Sequence, residues 1–451
     1  MKQKGAIITL VLIFGAIFLL LMGGIFGFIL LQHRQSLQKV SWNNALHISE
    51  AGINYARWHL LHAPADFNFS QTKSYADIGQ YQLEITGASG CSPAAEIISS
   101  GSASSFPNIE RKIKIKYGQQ SLARYAFLTN SNVWFGEDEE LKGPFHSNGG
   151  IRMDGQQNSL STSAKTTYIC GSEHGCSPPQ EKPGIWGQGE GQTQGLWEFP
   201  VPAVDFDLIT QDLAVLKQDA QTSGIYISQP VDHGYHVKFK NNGTIDVYRV
   251  KSVKQKAWGW DGQDWIFESN DIDSEELYGT YSLPTNCAPI FIENKVWVDG
   301  IVKGRATLVA AELPEKPNKM KNIIINGNID YTDSNSVLGL IAQKDILIPL
   351  YSLDNLEIKA ALLAQNGHVF RYYYPPWSSE PYKTYAIRNQ IRTFGSIITN
   401  TIWTFTWVDE DNNVVSGYRN TEMNYDPNLT YNPPPYFPTA GEYEFLNWEE
   451  I

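Results

Sequence analysis

The sequence is sparing with charge and with cysteine: charged residues fill 18% of 451 positions, and cysteine stands only at Cys91, Cys170, Cys176 and Cys287. No CxxC pair occurs, and His174 between Cys170 and Cys176 does not complete a tetrahedral set, so neither a metal site nor a cofactor is expected. GxSxG, HExxH and GxxxxGKS tracts are missing, which leaves serine-hydrolase, zincin and P-loop chemistry without sequence support. A basic stripe is missing too. With 35 basic against 47 acidic residues the net charge is −12. Phosphate backbones are held by clustered cations, so nucleic acid is not an expected partner.

Aromatic residues reach 12%, with 37 glycines and 23 prolines, a composition that favours short strands and many turns. The length exceeds what one hydrophobic core serves, which implies an anchor plus two or three folded units.

The longest apolar run is residues 6–31. At about 1.5 Å per helical residue it crosses a hydrocarbon core of about 30 Å. Gln32-His33-Arg34 follow directly in place of a small-residue cleavage site, so the segment is expected to stay in the chain. Lys2 and Lys4 precede it, which favours a cytoplasmic N-terminus, a single pass through the inner (cytoplasmic) membrane and an exported remainder. Over residues 32–63, Leu37, Val40, Ile48, Ala51, Tyr55 and Trp58 recur at helical spacing and mark an amphipathic continuation of the helix. Pro64 is the expected stop.

A basic leader (residues 1–5) ending in Gly5, then an apolar half-helix, then an amphipathic one, resembles type IV pilin-like proteins. The tract ALHISEAGINYARWHL, residues 45–60, is similar to the corresponding tract of PilX-type and general-secretion K-type minor pilins. The resemblance implies cleavage by a prepilin peptidase between Gly5 and Ala6 and association with other pilin-like subunits. Most major pilins carry glutamate at the fifth mature position, where this chain has Leu10; K-type minor pilins also lack it. The resemblance covers about residues 2–117. It implies a small antiparallel sheet within residues 64–142, for which Tyr81, Leu83 and Ile85, Ile97 and Ile98, and Ile113, Ile115 and Tyr117 supply alternating or paired apolar positions.

From residue 143 short apolar runs alternate with Asn-Gly and Asp-Gly turns, as in FHSNGGIRMDG and ALLAQNGHVF. Runs between residues 289 and 363 recur about every 20 residues, which suits the coils of a parallel β-helix over residues 143–400, with a β-sandwich as the competing architecture. A helix carrying Phe206, Leu208, Ile209, Leu213, Leu216 and Ala220, then a hairpin turning at Asn241-Asn242-Gly243, reads as an inserted unit over about residues 204–285. Residues 401–451 are expected to form a hairpin and a proline-rich strap through Pro433, Pro434 and Pro435. HSNGGI and the YDPNL and PPPYFP tracts resemble exported proteins that share this pilin-like N-terminus, a resemblance that names no activity.

In an exported domain Cys170 and Cys176 are spaced for a disulfide-closed loop. Cys91 and Cys287 are expected to stay apart, one in the small sheet and one in the solenoid. Asp330 with Asp333, Asp271 with Asp273, and the Asp409 to Asn413 run are close acids of the kind a loop-rich acidic chain carries anyway, and His146 reads as a turn residue. No enzyme is expected. The expectation is a minor pilin or pseudopilin-like subunit presenting a β-helical head for tip or adhesion function, found at the cell surface or pilus tip after assembly. The alternatives are a membrane-anchored surface structural or carbohydrate-binding protein, with surface glycans as partners, and a β-helix polysaccharide-active enzyme.

Overall fold

The computed structural model describes residues 4–63, 66–67, 69, 71–75, 77–137, 139–207, 209–284, 287–376 and 379–451. Lys2, Pro64 and Leu208 lie outside the described residues. The fold is mainly β with one long helix, Lys4–His62, of 59 residues, about 90 Å at the usual helical rise. Its first half, residues 7–31, leaves its apolar side chains almost entirely exposed.

The second half of the helix packs on an antiparallel run of strands, Thr72–Tyr75, Gly79–Thr86, Ala94–Ala103 and Phe106–Ser121, with Thr439–Glu450 beside the fourth. The buried stripe is Ala45, Ile48, Ser49, Gly52, Ile53, Ala56 and Leu60. This corrects the sequence reading, because Leu37, Val40 and Trp58 stand exposed. The stripe is set by size. A Cβ on Gly101 would overlap the Ala45 carbonyl and the Ser49 backbone, and one on Gly52 would overlap Ser99 Oγ. The Ser49 hydroxyl donates to the Ser99 carbonyl. Small residues let strand and helix backbones approach, so the stripe chosen is the narrowest, and apolar count alone points elsewhere.

The second compact unit comprises residues 89–93 and 119–443. Its main ladder is parallel and runs Ile225–Ile227, Ala288–Ile292, Arg305–Ala310, Val337–Ala342, Asn355–Ala364, Ile387–Thr399. The end of Ile387–Thr399 then pairs with a strand from much earlier in the chain, Phe127–Thr129, which leads on to Phe145–Ser147, Ser161–Ser163 and Trp197–Glu198. The order in the stack is thus a cyclic shift of the order in the chain. A second parallel ladder joins Tyr235–Phe239, Val296–Val302, Ile323–Tyr331, Ile346–Ile348, Val369–Arg371 and Trp403–Thr404.

Along the main ladder Ile290, Leu308, Leu340, Leu362, Ile397, Phe127 and Phe145 form one buried row facing the large core. Their outward neighbours Phe291, Val309, Ile341, Leu363, Ile398 and Leu128 are buried as well, in a cluster with Ile209, Leu213, Leu216 and Ala220 of the helix Ile209–Ser223 and with Leu429 and Phe437. Both faces of the ladder are covered, which is why runs such as Ala360-Ala361-Leu362-Leu363 do not alternate. The proline-rich tail is fixed over this outer face: Arg305 donates to the Pro433 carbonyl and Thr307 to that of Pro435.

The turn after each strand carries a second regularity. Asn400 Nδ2 donates to the Gln365 carbonyl at 3.0 Å, Asn130 Nδ2 to Asn400 Oδ1 at 2.8 Å, and Asn148 Nδ2 to Asn130 Oδ1 at 2.8 Å. One residue earlier a hydroxyl reaches the turn after the neighbouring strand: Thr399 to the Gly367 carbonyl, Thr129 to that of Thr401, Ser147 to that of Ser131 and Ser163 to that of Gly149. Carbonyls of the turns thereby gain side-chain donors, as buried backbone groups require. These two rows explain HSNGG: Ser147 and Asn148 fill the repeating roles, and Gly150 leaves room for the Tyr168 ring.

Several elements sit differently from the sequence reading. Partners Ile290, Leu308, Leu340, Leu362 and Ile397 are separated by 18, 32, 22 and 35 residues, because the loops between paired strands differ in length. The strands Phe127–Thr129 and Val133–Phe135 belong to the second unit, and Ile225–Ile227 and Tyr235–Phe239 join its ladders and are not set apart from them. The tail ends in the strand Thr439–Glu450, which joins the small sheet. Cys91 and Cys287 are bonded, S–S 2.06 Å, against the expectation that they stay apart. Residues 89–93 belong to the second unit although they interrupt the first, which brings the two cysteines into one body. The link closes 196 residues of chain, stabilising by about 5 kcal/mol in the chain-entropy picture.

Two substitutions test this packing. Asn130→Leu removes a side chain that both donates and accepts in the amide row, and is expected to lower the unfolding free energy of the second unit by about 2–3 kcal/mol in urea titrations. Gly101→Val forces the helix off the sheet and should cost about 3 kcal/mol, read as early protease cleavage within residues 94–118.

Candidate functional site

The processing pair Gly5 and Ala6 lies in the first turns of the long helix. Leu10 is exposed on the apolar half. Among the described residues one helix is long and apolar enough to cross a membrane. Its most apolar window has a mean hydropathy of 2.7, and none of that window is buried. This helix is the candidate membrane anchor.

Cys170 and Cys176 are bonded, S–S 2.05 Å, around the short turn Ser172–His174. His146 is buried on the outer row of the main ladder, with Nδ1 2.8 Å from Thr162 Oγ1 and Nε2 3.0 Å from Asn148 Oδ1. Burial holds its pKa below the usual histidine value, so the ring is neutral. Both nitrogens are occupied by ladder partners, which ties His146 to packing.

The close acids are dispersed among structural roles. Asp330 pairs with Lys359 at 2.7 Å, while Asp333 accepts from Ser336 Oγ and Asn335 N at the start of a turn. Asp271 is buried, accepts from Tyr351 N at 3.1 Å, and burial pushes its pKa up to about 6. Asp273 instead takes the Ser252 hydroxyl at 2.8 Å. Asp409 caps its own turn by accepting from Asp411 N and Asn413 N. No group of three His, Cys, Asp or Glu residues among the described residues is arranged to hold a metal ion.

A cleft of about 720 Å³ opens beside Trp134, Trp403 and Met423 and is bordered by Glu139, Glu140, Glu173 and Glu422 with Lys142 and His174. Each of these acids has its own partner: Glu139 accepts from Gly136 N at 3.0 Å, Glu140 pairs with Lys142 at 3.0 Å, Glu173 with His174 at 3.2 Å, and Glu422 with Arg392 at 2.9 Å. The cleft is therefore an acidic rim around an aromatic floor.

Two features escaped the sequence reading. One is a hairpin, Ala257–Trp260 with Trp265–Glu268, that carries Trp258, Trp260, Trp265 and Phe267. Only the density of tryptophan over residues 258–265 could have signalled it. The other is His236, whose Nδ1 lies 2.9 Å from Glu275 and Nε2 3.1 Å from Asp299. Burial opposes the charged ring, but the two carboxylate hydrogen bonds prevail and raise its pKa to about 9, while His236 in turn helps hold Asp299 below the usual carboxylate range. No local spacing links residues 236, 275 and 299, so this clamp is visible only in three dimensions.

No protein-family profile matches the chain, and no curated protein is significantly similar to it. Among solved structures, the competence-associated pilin ComZ from Thermus thermophilus aligns at 12% identity and a TM-score of 0.30, over 91% of this chain and 97% of that one. A likeness of that size is coarse and leaves fold and function to the chain's own residues.

The His236 clamp sets a pH dependence. Its folded pKa lies above the unfolded value of about 6.5, so its stabilisation is complete below pH 6.5 and lost as pH rises through about 9. The loss amounts to about 3 kcal/mol by linkage. Urea titrations at pH 6 and pH 10 should show this difference, and His236→Gln should flatten it while destabilising the protein at pH 6.

Proposed function

We infer that the chain is a membrane-anchored, exported subunit of a type IV pilus or secretion-type filament, cut between Gly5 and Ala6 and carrying the second unit as its head. The observation that carries this reading is the long helix. Its exposed apolar half runs without a break into a half packed through Ala45, Ser49, Gly52 and Ala56 on an antiparallel sheet. That division between a free apolar half and a half committed to a sheet is the layout the N-terminal resemblance implies. Other pilin-like subunits and the bilayer are then the partners of residues 7–31, since an exposed apolar helix is stable only against lipid or similar helices.

We read the ladders of the second unit as the coils of a parallel β-helix. The unbroken inner row from Ile290 to Phe145 and the amide row through Asn400, Asn130 and Asn148 support that reading over two facing sheets. We read the head as non-catalytic, since the acids of the large cleft are each committed to a neighbour. Leu10 supplies no carboxylate to offset a neighbouring subunit's N-terminal amine in an apolar filament core, where an unpaired charge costs several kcal/mol. The subunit therefore fits a filament end, where no such amine needs a partner, and the head there serves adhesion.

N-terminal sequencing of protein from membranes tests the processing step: a chain beginning at Ala6 is expected, and an intact Met1 would leave the membrane-anchored surface protein as the better reading. Immunogold labelling of sheared filaments is expected to mark one end sparsely. Dense labelling along the shaft would contradict the assignment to the tip.

A further inference from the structure

We propose that the aromatic face of the hairpin Ala257–Glu268 is a binding site for a neutral oligosaccharide. The proposal builds on the adhesive role of the head and is independent of filament assembly. Trp258 stands opposite Phe267 and Trp260 opposite Trp265 in the antiparallel register. Side chains two apart on a strand share a face, so all four rings point the same way. Ring centroids are 4.9 Å apart in the first pair and 5.7 Å in the second. The row continues through Tyr373, 6.2 Å from Trp265, to Trp407 a further 6.0 Å on.

The opposite face of the hairpin already fixes it. Ala257 and Ile266 pack with Phe370, Tyr372 and Tyr374, Gly259 sits against the Tyr372 ring, and Tyr372 donates to Glu268 at 2.8 Å. Trp260 and Tyr373 exchange two backbone hydrogen bonds, of 2.9 and 3.0 Å. The outer aromatics are therefore not needed to attach the hairpin. Trp258, Trp265 and Phe267 are nonetheless 48%, 48% and 49% exposed, beside a shallow depression of about 330 Å³ between Trp260, Trp265, Tyr373 and Trp407. A fixed row of rings loses little conformational freedom on binding.

The unused polarity of these rings selects the ligand. Trp134, Trp186, Trp197, Trp297 and Trp407 each donate their indole N–H to a protein acceptor. The N–H groups of Trp258, Trp260 and Trp265 find no such acceptor among the described residues. The site thus offers π faces flanked by free donors. A pyranose complements both, with polarised C–H bonds on its ring face for the negative face of the aromatic quadrupole and hydroxyl oxygens at its edge for the donors. A purely aliphatic surface would leave the donors buried and unmet. Asp261 and Asp264 at the turn disfavour polyanions, including single-stranded nucleic acid and anionic lipid. Asp261 accepts from Gln263 N and Asp264 N, which leaves the exposed Gln263 and Asp264 side chains to border the ligand.

The test uses the full chain in phosphatidylcholine nanodiscs, free of sugar-based detergent, titrated with cellohexaose, chitohexaose and maltohexaose. Tryptophan fluorescence reports affinity, and hydroxyl-radical footprinting of the unsubstituted protein reports position. At least one hexasaccharide is expected to bind saturably below about 1 mM and to protect Trp258, Trp260 and Trp265. Trp258→Ala and Trp265→Ala should weaken it at least about tenfold, while Trp265→Tyr, which keeps a ring, should restore most of the affinity. Should an alanine variant fold poorly, the footprint alone decides. The proposal fails if no neutral hexasaccharide binds up to about 10 mM, or if binding leaves these indoles unprotected. It also fails if phosphatidylglycerol vesicles or oligothymidylate protect them and sugars do not. None of these outcomes bears on N-terminal processing or filament labelling, so the two readings fail separately.

Discussion

The pairing of Ile397–Thr399 with Phe127–Thr129 is the contact on which the large unit depends. It joins residues 270 positions apart, as the Asn130 to Asn400 hydrogen bond beside it shows. Without it the strands of residues 127–198 would lose the neighbour of Phe127, and the ladder of residues 225–399 would end on Ile397. A strand in a parallel ladder is held by the strands on either side of it, which complete its hydrogen bonds and flank its inward side chains. The cyclic shift in chain order makes the strand Phe127–Thr129 the ladder neighbour of Ile387–Thr399.

The covering elements follow from the same constraint. Parallel ladders are stable when both faces are buried, and here the helix Ile209–Ser223 and the tail residues Leu429 and Phe437 supply the second face. The Cys91 to Cys287 bond then ties residues 89–93 to this body. Polar rows of amide and hydroxyl groups line the turns where apolar packing cannot reach the backbone. His236 is a different polar device, a charged ring that stays buried because Glu275 and Asp299 meet both of its nitrogens. Together the two carboxylates outweigh the burial that disfavours its charge.

What was legible in the sequence is what short-range pattern encodes. The apolar span, its helical continuation, the alternation of Tyr81, Leu83 and Ile85, and the two-faced burial of Ala360 to Leu363 are local, and a window of a dozen residues contains each. Hydrophobicity alone favours Leu37 and Trp58 for the packed face of the helix, whereas the approach of the strand Ala94–Ala103 demands Ser49, Gly52 and Gly101. The apolar runs suggest a regular interval between paired strands because loop length leaves no trace in them. The return of the last strand to the small sheet, the Cys91 to Cys287 bond and the His236 clamp join distant positions, which no periodicity records. The aromatic hairpin was hidden for another reason: Trp258 and Trp265 look like core residues in a list of letters, and only the register shows them on the solvent side.

Hydrogen exchange followed by mass spectrometry tests the stacked arrangement most directly. The amides of Phe127–Thr129 and Phe145–Ser147 are compared with those of Ala288–Ile292 and Val337–Ala342 in the full chain. One cooperative stack predicts high and matching protection in both groups, lost together as urea is raised. Early exchange across residues 127–163 while residues 288–342 stay protected would contradict it.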